Sequence, residues 1–165
     1  MEVSIRKVKN GDAPALAKIQ TESWNAAFRH ILSVETLEKS TQPGRVEAMY
    51  QRLLDENIGH GYLLELDGKA HCIAYWDRAR DAEMQGCAEI ICIHSLRERW
   101  GKGYGTKMME KLLEDIARAG YSKVILWVFA ENERARKFYE ARGFAANGKE
   151  KTGLGAQELC YEKTL

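Results

Sequence analysis

Polar and apolar positions follow two different periods along this chain, and the switches between them mark out its elements. Residues 3–8 alternate, with Val3, Ile5 and Val8 set among Ser4, Arg6 and Lys7, which predicts a first strand. A turn at Asn10-Gly11-Asp12 then leads into a helix over 13–23, with Asp12 as its cap and Pro14 in its first turn. Helical spacing returns over 34–40 and 45–57, interrupted at Gln42-Pro43-Gly44. Residues 62–66 and 70–76, joined by Asp67-Gly68, carry the pattern of a tight hairpin. A strand over 86–95 and an amphipathic helix over 103–119 come next. Residues 122–129 form an almost continuous apolar, β-rich run, as in a strand buried on both faces. A helix over 132–142 follows, capped by Asn132 and stopped at Gly143. Strands at 144–149 and 157–162 close the pattern around Gly153-Leu154-Gly155.

These elements predict one α/β domain of the α+β type over residues 1–165. Its centre is a mixed, mostly antiparallel sheet of about seven strands with helices on both faces. One right-handed strand–helix–strand crossover joins the strand holding Glu89 to the strand holding Trp127.

The chemistry concentrates where the first strand of that crossover meets its helix, at Trp100-Gly101-Lys102-Gly103-Tyr104-Gly105-Thr106. Glycines permit a sharp turn, and the first N–H groups of the helix then point outward without intrahelical partners. With the helix dipole behind them, these groups make a site for a phosphate or pyrophosphate. A Walker A loop would need Lys-Ser/Thr directly after its last glycine, but Gly105 is followed by Thr106-Lys107. A dinucleotide fingerprint would need glycine where Thr106 stands. Neither nucleotide pattern fits. Beyond the crossover, Asn132 and Tyr139 lie seven apart, two helical turns, and so share a helix face.

The glycine loop, together with Asn132-x-x-Ala135-x-x-Phe138-Tyr139-x-x-x-Gly143-Phe144 and the order of elements between them, resembles the GNAT superfamily of acetyl-CoA-dependent N-acetyltransferases. The resemblance is strongest over residues 88–144. One departure stands out: the superfamily's loop usually begins with Arg or Gln, and here it begins with Trp100, leaving Lys102 or Arg99 to supply charge.

The resemblance implies a GNAT fold in which the two crossover strands splay apart and the pantetheine arm of acetyl-CoA fills the gap. Backbone groups of Ile93, His94 and Ser95 would pair with that arm, and a backbone N–H there would polarise the acetyl carbonyl. Residues Gly101, Lys102, Gly103, Tyr104, Gly105 and Thr106 would hold the pyrophosphate, and Asn132 would bond the cofactor or a water beside the thioester. Tyr139 would hand a proton to the leaving thiolate, because a phenol near pKa 10 stays protonated at neutral pH.

Three sources remain open for the base that takes the amine proton. Glu89, fourteen residues before Gly103, matches the base of the histone-type acetyltransferases. His94 lies nearer the expected thioester, with an ordinary pKa near 6.5, and water is the third source. Glu65 and Glu83 lack motif support. Cys92 has no histidine at a spacing that would make it an acyl carrier, and the resemblance implies direct transfer in a ternary complex. On the acceptor side, Trp24 and Phe28 sit four apart on one helical face and could wall an amine pocket, with Glu22 offering charge to a cation.

Bulk properties narrow the partners. The chain has 165 residues and net charge +1, so no broad pull toward nucleic acid or membrane is expected. No apolar run is long enough for a membrane span and residues 1–6 do not resemble a signal peptide, which makes the cytoplasm the expected location. The four cysteines, Cys72, Cys87, Cys92 and Cys160, form no Cys-x-x-Cys and read as buried thiols. The four histidines add no zinc-ligand spacing, so no metal is expected. The expected partner is a small primary amine, with a peptide or protein N-terminus, or acyl-CoA sensing without turnover, as alternatives. A C-terminal strand serving as a sheet edge would permit pairing, so both monomer and homodimer remain open.

Overall fold

The computed structural model describes residues 1–165. Strands β1 (Val3–Lys7), β2 (His60–Leu66), β3 (Lys69–Arg78), β4 (Ala88–Ser95), β5 (Lys123–Phe129), β6 (Ala145–Gly153) and β7 (Ala156–Thr164) form one sheet in the order β1-β2-β3-β4-β5-β7-β6. Every pairing is antiparallel except β4 with β5. Helices α1 (Ala13–Ala27), α2 (Val34–Ser40) and α3 (Pro43–Asp55) precede β2. Helix α4 (Tyr104–Arg118) forms the crossover, and α5 (Glu133–Glu140) follows β5.

Two cores hold the layers together. On one face Met108, Met109, Leu112 and Ile116 of α4 pack fully buried against Leu64, Trp76, Ile90 and Leu126. Each such side chain contributes roughly 1.5–3 kcal/mol relative to exposure. On the other face Leu16 and Ile19 of α1 join Val46 and Tyr50 of α3 over Leu63, Ile73 and Tyr75. Gly61 is required where Tyr75 crosses β2. A Cβ there would collide with the Tyr75 ring and lie 2.7 Å from Val8 Cγ2.

The feature that makes a site is the short union of β4 with β5. Only Ala88, Glu89 and Ile90 pair with Val124, Ile125 and Leu126; beyond them the strands diverge. The register against β3 slips at the same point, since Tyr75 faces Cys92 while Trp76 faces Ile90. Ile91 is therefore an extra residue, and a bulge of this kind bends its strand. The bend carries residues 91–95 of β4 away from β5.

Four sequence expectations shift. Asp12 occupies the N-cap position of α1 but makes no side-chain cap bond. Its carboxylate instead takes two hydrogen bonds from Arg6 and one from the Lys9 amide, which outbids the helix terminus. Pro43 starts α3 rather than interrupting it, because proline fits the first helical position. The last hairpin reaches further toward its turn than its apolar pattern suggested, to Gly153 and from Ala156, and β7 runs on to Thr164. Finally, the C-terminal strand is not an edge: β7 lies between β5 and β6, and the edges are β1 and β6.

Candidate active site

A cavity of about 950 Å³ runs through the splay. One wall is β4 from Ile90 to Ser95, and the other is β5 from Leu126 to Phe129 with Asn132, Ala135 and Tyr139 of α5. The glycine loop closes one end. Gly101 and Gly103 have φ of +77° and +88°, a left-handed conformation that side chains resist. Gly103 is the N-cap of α4 and offers no side chain to its amides. The first helical N–H to be taken is that of Lys107, by the Gly103 carbonyl at 3.1 Å. The amides of Tyr104, Gly105 and Thr106 are thus the free donors of the helix end, and all three residues line the cavity. Gly105 also lets α5 approach, because a Cβ there would lie 3.2 Å from the Phe138 ring.

Tyr139 lines the cavity, and burial raises its phenol well above the ordinary value. It therefore keeps its proton until a stronger base arrives. Asn132 uses Oδ1 to accept the Ala135 N–H at 3.2 Å, capping α5 and leaving its amide NH₂ for the cavity. Gly101, Gly103, Tyr104, Gly105, Thr106, Ile93, His94, Ser95, Asn132 and Tyr139 thus share one cavity, as do Trp24 and Phe28. Lys102 does not line it, whereas Arg99 does.

The candidate bases sit in contrasting surroundings. His94 Nε2 accepts a hydrogen bond from Trp24 Nε1–H at 3.2 Å, and burial pushes the imidazole down to about 4. The ring is neutral at neutral pH, with its acceptor nitrogen already engaged. Glu89 is only 2% exposed. Its carboxylate accepts the Arg80 amide at 3.0 Å and the Arg80 guanidinium at 2.7 and 3.2 Å. It borders a second, charged cavity of about 580 Å³, which meets the main one at Arg80, Trp127 and Lys151. Glu83 pairs with Lys149 at 2.7 Å on that second cavity. Glu65 is bound to Arg6 near β1, away from both. Burial pushes the Cys92 thiol up to about 11, so it is no nucleophile at neutral pH.

On the α1 side of the cavity, Trp24 and Phe28 meet edge to face at 5.1 Å, and Phe28 meets Phe129 at 5.0 Å. Phe28 is mostly core, packed with Leu32 and Leu37, and Trp24 forms more of the open wall. Glu22 is exposed and takes no part in the lining. Gln20 and Tyr50, bonded to one another, stand on this side instead, with Asp77, Trp127, Lys151 and Glu158. Sequence reasoning missed these residues. They come from six separate elements, and no spacing in the chain links them.

The profile of the family described as Acetyltransferase (GNAT) family matches residues 19–144. The chain belongs to this family. It is 23% identical over 175 aligned positions to an uncharacterised N-acetyltransferase, YuaI, of Bacillus subtilis, covering 99% of this chain and 98% of that one. It is 26% identical over 144 positions to an uncharacterised N-acetyltransferase of Archaeoglobus fulgidus, covering 85% and 91%. Among solved structures, the PaiA N-acetyltransferase of Thermoplasma acidophilum in complex with coenzyme A superposes with a TM-score of 0.85 at 18% identity, over the whole of both chains. YncA of Salmonella typhimurium, with its cofactor acetyl-CoA, gives 0.74 at 15% identity over 100% and 95%. This GNAT protein is an acetyltransferase with the superfamily's fold. No helix in it is long and apolar enough to cross a membrane, and its four cysteines are all free thiols.

Proposed function

We propose that this GNAT acetyltransferase moves the acetyl group of acetyl-CoA to a primary amine of a small molecule, by direct transfer with both substrates bound. The observation that carries the reading is the cleft itself. A stretch of β4 that is unpaired on its β5 side lies opposite a half-buried, proton-holding Tyr139, and the free amides of α4 close one end. The residues fit the cofactor: the amides of 104–106 suit its diphosphate, and residues 93–95 offer main-chain partners to its pantetheine arm. The Thermoplasma and Salmonella proteins hold coenzyme A and acetyl-CoA on the same fold. A volume of about 950 Å³ suits a cofactor arm and a small acceptor together.

Bound there, acetyl-CoA supplies an activated acetyl group; the protein's part is placement and proton transfer. A primary amine near pKa 10 is neutral in only about one molecule in a thousand at neutral pH, so a proton must leave it first. Glu89 receives that proton through water from the adjoining charged cavity, because its carboxylate borders that cavity and not the main one. Arg80 holds the Glu89 carboxylate in place through its amide and guanidinium. As the C–S bond breaks and the new C–N bond forms, Tyr139 protonates the thiolate, and solvent restores the phenol. The nitrogen sheds a second proton to solvent as the C–N bond forms, which offsets the one given to the thiolate, and the proton on Glu89 leaves as the single net proton released. His94, neutral and bonded to Trp24, orients the acceptor wall.

The test is release of free CoA thiol from acetyl-CoA with polyamines, amino acids, aminoglycosides and short peptides. Amine-dependent release is expected, and Tyr139→Phe should lower kcat at least about tenfold while acetyl-CoA affinity stays within a few-fold. Peptides outperforming every small amine would overturn the small-molecule acceptor. Binding without release for any amine would favour a sensor. In Glu89→Gln, a fall in kcat at unchanged melting temperature supports proton transfer. A fall in melting temperature at unchanged kcat would make Glu89 a structural partner of Arg80 only.

A further inference from the structure

Trp100 opens the glycine loop without a charge, and its polar and aromatic surfaces are both engaged. Its Nε1–H donates to the Ser95 carbonyl at 2.9 Å, and its ring face carries the Arg134 guanidinium, whose Cζ lies 3.5 Å from the ring centroid. Trp100 does not line the cavity; Arg134 does, together with Gly101 and Gly103. The stack therefore reaches across the splay, from the loop before α4 to the first turn of α5.

Arg134 is in an unfavourable place for a lone cation. It sits in the first turn of α5, where the helix dipole repels positive charge, and it stacks on Trp100 in the loop that leads into α4. Arg6, Arg52, Arg80 and Arg118 each hold a carboxylate within 4.0 Å, but Arg134 holds none. The guanidiniums of its neighbours are spent on the protein. Arg136 bonds Tyr161 and the Ala130 carbonyl, and Arg142 bonds Thr106 and the Phe138 carbonyl. An exposed cation in the first turn of a helix, held on the cavity wall by an aromatic face and free of any carboxylate, is open to an anionic ligand and suited to one.

We propose that Arg134 is the side-chain cation that binds the cofactor's diphosphate, with Trp100 as the positioning residue that holds it across the cleft. The inference rests on the acetyl-CoA reading above. It assigns to a composite of two walls the charge that Trp100 leaves out of the loop.

Equilibrium binding of three probes tests it: acetyl-CoA, acetyl-dephospho-CoA, which keeps the diphosphate but lacks the 3′-phosphate, and S-acetylpantetheine, which has no phosphate beyond the arm. Arg134→Ala should weaken the first two by about 10- to 100-fold, as loss of a charge-assisted bond does, and leave the third unchanged. Its salt dependence should be shallower than that of the parent protein. Trp100→Ala should weaken the first two by about two- to fivefold, and Trp100→Phe should recover most of that because the ring face remains. Equal acetyl-CoA affinity in Arg134→Ala and the parent would overturn the proposal, as would a loss seen only in Arg99→Ala. A loss confined to acetyl-CoA and absent with the dephospho probe would overturn the diphosphate assignment. If the parent protein binds none of the probes, the acetyl-CoA reading itself falls, and this inference with it.

Discussion

The two sides of β4 are built from different materials. Toward α4 and α5 the cleft is a main-chain device: a bulge at Ile91, two glycines with positive φ and three free amides. Toward α1 and α3 it is a side-chain device, in which Trp24, His94, Gln20, Tyr50, Asp77 and Glu158 converge from distant parts of the chain. The first construction fixes what is common to any ligand carrying the same phosphates. The second can change one side chain at a time without disturbing the sheet. On the proposed reading, a cofactor half made of backbone and an acceptor half made of side chains should therefore respond differently to mutation and to pH.

The largest expected effect lies on the side-chain half. The folded His94 imidazole, at about 4, sits below the ordinary 6.5, so between these values the unfolded chain binds more protons. Its contribution is fully present above pH 6.5 and is lost as the pH falls toward 4, by up to ~3 kcal/mol at about 1.4 kcal/mol per unit. Asp12, held low by its hydrogen bonds to Arg6, also loses stability on acidification, at lower pH. Urea unfolding of the parent and of His94→Asn at pH 7 and 4.5 separates the two contributions. The variant should show the shallower acid loss, and parallel curves would mean that His94 does not carry it.

On the main-chain half, Gly103→Ala puts a side chain at φ +88° with open space around it, so only the backbone is strained. A loss of about 1–2 kcal/mol is expected, with weaker acetyl-CoA binding as the loop relaxes. Calorimetry and a binding titration would show both. Full stability with full affinity would break the contrast, because the loop would then not depend on its left-handed glycine.

The smallest effect should come from Trp24→Phe. It keeps an aromatic wall but removes the donor to His94 Nε2, at a cost of about 1 kcal/mol. Acceptor KM should rise by a few-fold with acetyl-CoA affinity unchanged. A matching change in acetyl-CoA affinity would mean that the two halves of the cleft are coupled.

Reading the chain in order picks out the glycine loop and the α5 cap because their signals are local. Gly101 to Thr106 are contiguous, and Asn132 to Gly143 lie on one short helix and its stop, so loop and cap could be read without knowing what packs on them. The bulge at Ile91 was invisible, since a register slip exists only relative to β3. Glu89 was legible as a position, but its pairing with Arg80 was not: nine residues and a turn separate them, and nothing in the pattern says that the turn folds back. Arg134 gave no signal either, because a basic residue in a charged helix has meaning only once Trp100 is found beneath it.

The sequence by itself determined the elements, the order that makes one crossover, and the glycine-rich turn that leaves the first amides of α4 free. Those follow from local sterics, period and hydrogen-bond supply, which are properties of neighbours in the chain. Tertiary structure alone decided where β4 leaves β5, placed β7 inside the sheet, set the charge state of His94 and laid Arg134 on Trp100. Each of these depends on desolvation or contact between residues brought together only by folding, and local sequence carries no record of that.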